Sequence, residues 1–445
     1  MHPRNRYNTP PDFTSLAKRY PPLRPYVFIN EDNVAILDFQ NIDAQRRLTE
    51  ALLHCDFNLK ITLMEDRLCP PVPNRLNYIL WIQDIIRSCD LPERPVRGID
   101  VGTGASAIYP LLACSMDPSW HMVGLEIDDE SARCALQNVA ANNLSDRIDI
   151  RMSVLDGPIF ALFDDDLDTQ YDFTMCNPPF YGSAQEIAES AEGKLYGPRS
   201  VCSGAAVEMV TPGGEVAFVS QMVRESVQHK TRCRWFTSML GKLSSVSVVI
   251  ELIKALGIDN YGITEFVQGQ TRRWAVVWSF GRERLPDSIT RIRNPSLQKH
   301  MPPHNCLYQP FSSEHTVTQL QDAVQRVLDA IEGVSWSCNM HKSEDSGEES
   351  PAPETSSRMI VKAAQNTWSR SARRKKKAEM EEQSDALASG LRQVVEPILR
   401  CSMKCMDNVE ELELEYTWTE GEDRGVFESF ASHVNRKVGD LLAGG

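Results

Sequence analysis

An Asn-Pro-Pro-Phe motif at residues 177–180 holds the side chains of this 445-residue chain best suited to chemistry on a nitrogen atom. An exocyclic amine conjugated with its ring is a poor nucleophile unless acceptors for its two protons draw it towards a tetrahedral geometry. The side-chain oxygen of Asn177 and the carbonyl of Pro178 can be those acceptors, so catalysis needs positioning and polar preorganisation rather than a strong base. Pro178 and Pro179 stiffen the turn, and Phe180 offers a face on which an unstacked base can lie. A Pro-Pro turn ending in a core phenylalanine is the structural alternative.

A glycine turn and an acidic residue upstream predict a nucleoside cofactor. Gly102-Thr103-Gly104 separates an apolar run from a helical pattern, where small residues admit a ligand and a helix amino terminus favours a carboxylate. Glu126 closes the next apolar run, where an acid can accept both hydroxyls of a ribose. Either feature alone is also explained by an ordinary turn or a solvated strand end. Together with Asn177, they favour S-adenosylmethionine over NAD.

The elements that position these residues alternate between short apolar runs and helical patterns. We predict helices at 105–115 and 131–142, and strands at 96–101, 121–127, 148–152, 171–176, 215–220, 246–251 and 273–280. Alternation of this kind favours a parallel sheet covered on both faces. Seven such strands predict an α/β fold of the Rossmann-like class I S-adenosylmethionine-dependent methyltransferase type.

Four regions are predicted along the chain. Residues 1–90 form a basic arm and a helical extension with helices at 43–57 and 75–89, residues 91–284 the methyltransferase domain, and residues 285–312 a connector. Residues 313–445 are predicted to be a small α+β accessory domain. It contains helices at 316–331, 386–399 and 426–442, strands at 334–338, 359–363 and 412–418, a polar disordered loop at 341–357 and a basic run at 373–377.

Composition restricts the classes of protein. No apolar run approaches the ~20 residues of a membrane span, and the first residues do not resemble a secretory signal, so we expect a soluble intracellular protein. The twelve cysteines include no Cys-x-x-Cys pair and no zinc-like spacing, so we expect reduced thiols, no metal and a monomer. The net charge of −14 does not exclude a nucleic-acid enzyme, because local basic patches decide contact.

Three short segments mix cations, amides and aromatic residues as RNA-binding surfaces do: residues 4–7, 232–235 and 270–274. We therefore predict RNA contacts at Arg4, Arg6, Arg232, Arg234, Arg272 and Arg273. The alternative for each segment is a solvated surface. The basic run at 373–377 indicates either a nuclear import signal or an RNA contact, and residues 182–204 are either an insertion or a lid over a flipped base.

Several blocks of the sequence closely resemble the U6 small nuclear RNA adenine-N6 methyltransferase family, called methyltransferase-like protein sixteen in animals. The blocks MHPRNRY, RLNYILW, GIDVGTGASAIYPLL, MCNPPF and TEFVQGQTRRWAVVWSF fall within residues 1–280, which the resemblance covers almost continuously. A bacterial family that methylates adenine in large-subunit ribosomal RNA is similar over the core. The resemblance implies S-adenosylmethionine as cofactor, U6 RNA in a structured hairpin or ACAGA-type context as substrate, and the nucleus as location, with the cytoplasm and mRNA hairpins as additions.

The resemblance also implies roles for single residues. Cofactor contacts are expected at Arg75, Gly102, Ser106, Glu126 and Asn177, and we add their neighbours Asp100, Thr103, Gly104 and Ser153. Residues 177–180 match the catalytic motif, and Arg4, Arg6 and Arg272-Arg273 match RNA contacts. The family has a lysine-bearing loop that can occlude the cofactor pocket, but residues 151–156 lack that lysine. Beyond residue 285 only the pattern of the accessory domain is similar to the family's kinase-associated-one-like domain.

Three other functions compete with methylation of U6 RNA. The same chemistry could act on ribosomal RNA. A glutamine-N5 methyltransferase acting on protein would also use an Asn-Pro-Pro motif on a planar amide, but such enzymes usually carry Tyr where this chain has Phe180. A non-catalytic RNA-binding module would not need both Asn177 and Glu126 intact.

Overall fold

A computed structural model describes residues 1–89, 94–183, 185–186, 205–269, 271–339, 358–369, 372, 396–408 and 411–444. The chain divides into two compact units. The first comprises Met1–Gly281 and Ile289–Pro302, and the second comprises Arg282–Ser288 and Pro303–Gly445. The predicted disordered loop at 341–357 and the basic run at 373–377 lie outside the described residues.

A seven-stranded sheet forms the centre of the first unit, with the strand order β5-β4-β3-β6-β7-β9-β8. Its strands are β3 Arg97–Val101, β4 His121–Glu126, β5 Ile148–Met152, β6 Tyr171–Cys176, β7 Cys233–Leu240, β8 Asn260–Gln268 and β9 Thr271–Ser279. Strands β3 to β7 are parallel, and β9 runs antiparallel to both β7 and β8. A two-stranded hairpin, β1 Val27–Ile29 and β2 Ala35–Leu37, precedes the sheet. This is the predicted class I methyltransferase fold.

Helices cover the sheet and the amino-terminal part of the first unit. They are α1 Phe13–Arg19, α2 Ile42–Phe57, α3 Val72–Arg87, α4 Ile108–Met116, α5 Asp129–Ala141, α6 Leu162–Asp165, α7 Ala206–Met209, α8 Gly214–Ser226 and α9 Leu243–Ala255. Short 3₁₀ helices lie at Arg6–Asn8, Pro21–Tyr26 and Pro295–His300. Helix α3 is buried along most of its length, since apolar residues occupy nearly every position of its second and third turns. None of the helices in the described ranges is long and apolar enough to cross a membrane.

Two of the seven predicted strands are wrong. Residues 215–220 belong to α8, and residues 246–251 belong to α9. The buried residues Val246, Val249, Ile250 and Ile253 recur at helical spacing, but an apolar run of six residues does not distinguish a buried helix from a buried strand. The sheet instead contains β7 and β8, which the sequence analysis missed. Strand β7 is buried on both faces, so it shows no alternating pattern.

The second unit contains a five-stranded antiparallel sheet in the order β10-β14-β13-β12-β11. Its strands are β10 Cys306–Phe311, β11 Val334–Asn339, β12 Arg358–Ala363, β13 Leu399–Asn408 and β14 Glu411–Gly421. The stretch predicted as a connector holds β10, the 3₁₀ helix Pro295–His300 and the short helix α10 Asp287–Thr290. Residues 396–399 of the predicted helix 386–399 lead into β13, so that helix is wrong at its end; residues 386–395 lie outside the described ranges.

Two helices pack on the sheet of the second unit. Helix α11 Val317–Asp329 begins with a capping box, in which the Thr316 and Gln319 side chains bond each other's backbone. Helix α12 Arg424–Ala443 buries Phe427 and Phe430, and the Phe427 ring stacks on Trp418 with their centroids 5.7 Å apart. The unit therefore has a hydrophobic core of its own.

Candidate active site

A cavity of about 430 Å³ opens at the carboxyl ends of β3, β4 and β6. Its size lies within the range of small-molecule sites in proteins, and ligands of open α/β sheets bind at this edge. Every predicted cofactor residue except Asp100 lines it: Arg75, Gly102, Thr103, Gly104, Ser106, Glu126, Ser153 and Asn177. The sequence therefore predicted the wall of the cavity well, and the group that each residue binds stays a prediction.

The glycine turn after β3 forms one wall of the cavity. Gly102 and Gly104 have φ values of +71° and +67°, which residues with a side chain rarely adopt. The backbone N–H groups of Gly102 and Thr103 both donate to the carbonyl of Leu125, each over 2.9 Å, and fix the turn against β4. A Cβ atom at Gly102 would meet no atom within 4 Å, so its backbone faces open space.

Glu126, at the end of β4, is almost fully buried and bonded to the backbone. One carboxylate oxygen accepts the N–H of Gly104 at 2.8 Å, and the other accepts those of Ile127 and Asp128 at 2.8 and 3.1 Å. A carboxylate has about four acceptor sites, so roughly one remains. To accept both hydroxyls of a ribose, as the sequence analysis predicts, Glu126 must share or exchange one backbone bond.

Asp100 lies in β3, two residues before the turn, and is fully buried. Neither of its carboxyl oxygens makes a hydrogen bond, and the Thr103 hydroxyl beside the cavity is also without a hydrogen-bond partner. Burial raises the pKa of Asp100 to about 7, and the negative charge of Glu126 acts in the same direction. Buried polar atoms without partners normally mark a site for a ligand or water. These oxygens fit a ligand that carries an ammonium group and hydroxyls.

Asn177 follows β6 and contributes a side-chain oxygen that is buried and has no hydrogen-bond partner. The preceding N–H, that of Cys176, donates to the Tyr78 hydroxyl over 3.2 Å. The same hydroxyl lies 2.6 Å from the Thr237 hydroxyl, which donates to the Thr174 carbonyl over 2.7 Å. This chain of bonds ties the end of β6 to α3 and β7. These bonds fix the backbone that leads into Asn177, which is one of the residues that line the cavity.

Phe180 ends the motif and is partly buried. The guanidinium carbon of Arg273 lies 5.4 Å from the centroid of its ring. Gly241, which follows β7, lies against the ring, since a Cβ there would be 2.8 Å from the Phe180 Cδ1 atom. Arg273 is thus in contact with the catalytic motif, a position that the sequence analysis did not anticipate.

Glu208, in α7, lines the cavity and was missed by the sequence analysis. Its Oε2 atom accepts the backbone N–H groups of Leu68 and Ala205 at 2.8 and 3.0 Å. Burial raises its pKa, and the nearby charge of Glu126 adds to the rise. No sequence signal identifies Glu208, because the residues that it contacts at the cavity, such as Leu68, lie far from it in the sequence.

The amino-terminal extension also forms part of the wall, through Leu68, Pro70 and Arg75. The segment between α2 and α3 is held by α5: the Asn138 side chain accepts the N–H of Thr62 at 2.7 Å and donates to its carbonyl at 3.1 Å. Asn138 also donates to the carbonyl of Ala105, beyond the glycine turn, at 3.1 Å. The extension is therefore built into the site rather than appended to it.

The predicted RNA contacts near the amino terminus fold back onto the helices. Arg4 donates to Gln83 and to the carbonyl of Leu80, each over 3.1 Å, and forms an ion pair with Asp84. Arg6 donates to the carbonyl of Asp56 over 2.8 Å and lies over the Phe57 ring. Both arginines line a separate surface hollow rather than the cavity. Their contact with RNA stays a prediction.

Arg232 is bonded within the protein, and its predicted contact with RNA stays a prediction. Its guanidinium donates to the carbonyls of Phe163 and Thr169 over 2.9 Å each, and also to that of Asp166. Arg232 and Arg234 lie at the amino end of β7, whereas the cavity lies at the carboxyl ends of the parallel strands. The structure therefore does not bring these two arginines to the site.

The two remaining cations of the predicted RNA surface differ from each other. Arg272 is exposed and pairs with Glu265 over 3.1 Å, whereas Arg273 is half-buried against Phe180. Most of the predicted lid, residues 184 and 187–204, lies outside the described residues, as does Gln270. Within the described ranges, no group of three or more His, Cys, Asp or Glu side chains could hold a metal ion.

Comparison with known proteins finds similar sequences and similar solved structures. A sequence profile described as RNA methyltransferase matches residues 1–282. The chain is 36% identical over 406 residues to the U6 small nuclear RNA (adenine-(43)-N(6))-methyltransferase of Schizosaccharomyces pombe, covering 91% of this chain and 95% of the relative. It is 40% identical over 284 residues to the mouse RNA N(6)-adenosine-methyltransferase METTL16, covering 63% of this chain and 51% of the relative. The chain thus spans about half the length of that relative.

Solved structures of human METTL16 are also similar to the first unit. The catalytic domain in complex with MAT2A 3′UTR hairpin 1 has a TM-score of 0.58 and 42% identity, covering 63% of this chain and 95% of that one. The amino-terminal domain in complex with SAH has a TM-score of 0.54 and 39% identity, covering 63% and 98%.

Proposed function

Because this chain belongs to the RNA methyltransferase family whose profile matches residues 1–282, we propose that it methylates N6 of an adenine in U6 small nuclear RNA, using S-adenosylmethionine. The observation that carries this proposal is the buried, unpartnered side-chain oxygen of Asn177 in the wall of the cavity that Glu126 and the glycine turn also line. An acceptor without a partner is suited to accept a hydrogen bond from an incoming amine.

The residues around the cavity fit the cofactor. S-adenosylmethionine supplies, when bound, a methyl group on a positively charged sulfur. Gly102 and Gly104 leave room for the methionine part of the cofactor, and Arg75 provides a cation for its carboxylate. Glu126 can accept from the ribose, and Glu208 offers a carboxyl group in the same wall that can accept from the ammonium group. The complex of human METTL16 with SAH supports this use of the cavity.

Asn177 and its neighbours would act on the adenine. The Asn177 side-chain oxygen and the Pro178 carbonyl accept hydrogen bonds from the two N–H groups of the exocyclic amine, which exposes its lone pair. Once methylated, the nitrogen releases one of these protons to solvent. Phe180 stacks on the base after it leaves the RNA stack, at a cost of a few kcal/mol. Preorganised groups of this kind typically contribute about 10²–10³ to the rate, without any group acting as a strong base.

The substrate follows from the relatives rather than from the geometry of the site. The Schizosaccharomyces pombe relative aligns over nearly its whole length and is named for adenine 43 of U6 RNA. METTL16 has been solved with a MAT2A 3′UTR hairpin. We therefore propose U6 RNA as the main substrate and a structured hairpin as the form in which the adenine is presented, with mRNA hairpins as further substrates.

Three further expectations belong to this proposal. The protein acts as a monomer, since one chain supplies every residue named above. It needs no metal, since polar groups and the charge of the cofactor suffice for the reaction. It works in the nucleus, as expected of an enzyme whose substrate is a small nuclear RNA. Sedimentation, activity in EDTA and imaging of the tagged protein test these expectations in turn.

The proposal is tested by methyl transfer from tritiated S-adenosylmethionine to U6 RNA, to ribosomal RNA and to total RNA, with the labelled nucleoside mapped. We expect label at N6 of one adenine in U6 RNA, and none when Asn177→Ala replaces the wild type. The variant should retain RNA binding within a few-fold. Label in ribosomal RNA alone would replace the proposed substrate, and wild-type transfer by Asn177→Ala would remove Asn177 from the mechanism.

A further inference from the structure

The Phe180 ring is bounded on two sides by residues that the proposed reaction has not used. The guanidinium carbon of Arg273 lies 5.4 Å from the ring centroid, within the range of a cation–π contact. Gly241 lies against the ring closely enough that an added Cβ would be 2.8 Å from Cδ1 and 3.1 Å from Cε1. The ring therefore has little freedom to turn.

Gly241 is itself held in place by a buried acid. The Glu215 carboxylate is 1% exposed and accepts the N–H groups of Gly241 and Lys242 at 2.6 and 3.0 Å. Glu215 lies in α8 and Gly241 follows β7, so these two bonds lock the β7–α9 turn onto the neighbouring helix. The position of the turn, and with it the edge of the Phe180 ring, depends on Glu215.

Arg273 differs from a typical phosphate contact. Its guanidinium is partly removed from water and lies near Arg75, a residue of the cavity wall. Burial lowers the pKa of Arg273, and the positive charge of Arg75 adds to the lowering. One of its nitrogen atoms donates to the carbonyl of Arg272 at 2.9 Å. Arg272, by contrast, is exposed and paired only at its tip with Glu265. Neighbouring arginines are thus placed for different tasks.

We propose that Arg273 is a positioning residue that covers one face of the Phe180 ring, so that the target adenine stacks on the opposite face. Gly241, held by Glu215, fixes the edge of the same ring. The planar guanidinium suits this task better than an ammonium group, because it stacks on an aromatic face over a wide area. The proposal rests on the proposed adenine methylation and assigns to Arg273 a role in it other than the predicted RNA contact.

Four variants of the full chain test this proposal. Arg273→Lys keeps the positive charge and loses the planar guanidinium, and Arg273→Met loses both. Gly241→Ala places a methyl group against the ring, and Arg272→Met is the control at the neighbouring arginine. We expect Arg273→Lys, Arg273→Met and Gly241→Ala to lower kcat by about 10- to 100-fold, the cost of a small misplacement of reacting groups. Their KM for RNA and their Kd for S-adenosylmethionine should stay within about twofold.

Two further readouts separate positioning from phosphate contact. The dependence of log Kd for RNA on log salt should keep its slope in Arg273→Met, whereas the slope in Arg272→Met should fall by about 0.7–0.9, the value for one phosphate contact. The fluorescence of 2-aminopurine at the target position reports stacking on Phe180. It should rise in Arg273→Lys in the same direction as in Phe180→Leu.

Each outcome supports or overturns the proposal. A slope reduced by one contact in Arg273→Met, with kcat retained, would make Arg273 a phosphate contact and overturn it. Wild-type fluorescence in Arg273→Lys would do the same, because it would show that the base stacks without the guanidinium. Failure of the wild-type protein to methylate any adenine would instead defeat the proposed function. Cofactor affinity and the thermal midpoint identify a variant that has merely unfolded, and Arg273→Lys then decides the role of this position.

Discussion

The hydroxyl oxygen of Tyr78 lies 3.2 Å from the backbone nitrogen of Cys176, the residue directly before Asn177. It links α3, in the amino-terminal extension, to the catalytic motif in the middle of the chain. Strands β6 and β7 are paired at Tyr171 and Phe173, and beyond those residues Tyr78 and Thr237 satisfy the backbone of β6 instead. The end of β6 is thus held by side chains of α3 and β7 where it leads into Asn177.

Tyr78→Phe should destabilise the protein by about 1–3 kcal/mol, because it leaves the buried Cys176 N–H without its partner, while the Thr237 hydroxyl keeps its bond to the Thr174 carbonyl. The same change should lower kcat, because the backbone directly before Asn177 loses the hydrogen bond that holds it in position. Urea unfolding and single-turnover methyl transfer measure the two effects. Tyr416→Phe is the matched control, because this tyrosine is buried in the core of the second unit and its hydroxyl donates to the Asn435 side chain over 2.6 Å. Equal effects of both variants on kcat would contradict the role given to Tyr78.

Asp100 should make stability depend on pH. Its pKa is raised to about 7 in the folded state, against roughly 3.9 in the unfolded chain. Between these values the folded state holds a proton that the unfolded state lacks, so the stabilising contribution is complete below about pH 4 and is lost as pH rises to 7. The slope is at most about 1.4 kcal/mol per pH unit.

Asp100→Asn should remove that slope. Urea unfolding of both proteins without cofactor, at several values between pH 4.5 and 7.5, measures the difference. The free energies of the two proteins should diverge as pH rises, with the wild type falling relative to the variant. Parallel curves across this window would mean that Asp100 is ionised at neutral pH in the folded protein.

Arg232→Ala should cost about 2 kcal/mol of stability, because three backbone carbonyls lose a charged donor. Affinity for RNA and its salt dependence should not change. Arg133→Ala, at an exposed position in α5, is the control and should change the free energy of unfolding by no more than about 0.5 kcal/mol. A smaller salt slope in the stably folded Arg232→Ala protein would restore Arg232 to the RNA surface.

Arg4→Ala combined with Arg6→Ala should weaken RNA binding and reduce the salt slope by roughly two phosphate contacts, or about 1.4–1.8. Both side chains are partly exposed although they bond to α2 and α3. Filter binding to a U6 hairpin between 50 and 200 mM salt measures the slope. Because Arg4 also pairs with Asp84, Asp84→Ala serves as a control for loss of that pair, together with the bond between His2 and the same carboxylate. An unchanged slope in the double variant would exclude both arginines from the interface.

The central strands and the cavity wall could be predicted because their signals are local. The bounds predicted for β5 and β6 agree with the structure at every residue: β5 alternates apolar and polar side chains, and β6 is buried at every position. The glycine turn, Glu126 and Asn177 each follow such a strand. Parallel strands end at one edge of a sheet, so residues at their carboxyl ends must meet.

The remaining features depend on contacts between distant parts of the chain. Helix α8 was predicted as a strand because it follows the turn-like sequence Pro212-Gly213-Gly214, whereas Gly213 caps the helix and Gly214 is its first residue. The partnership of Tyr78 with Cys176 spans 98 residues, and that of Glu208 with Leu68 spans 140. Arg232 and Arg273 both belong to basic, aromatic segments. Only the fold shows that Arg232 bonds backbone carbonyls whereas Arg273 lies against the Phe180 ring.

The amino-terminal wall of the cavity makes folding of the extension and occupancy of the site thermodynamically linked. Leu68, Pro70 and Arg75 contact whatever fills the cavity, so a bound molecule opposes detachment of the segment between α2 and α3. At a hundredfold excess over its Kd, a ligand adds about 2.7 kcal/mol to the free energy of that detachment. The resistance of this segment to proteases would therefore report the cofactor level around the protein.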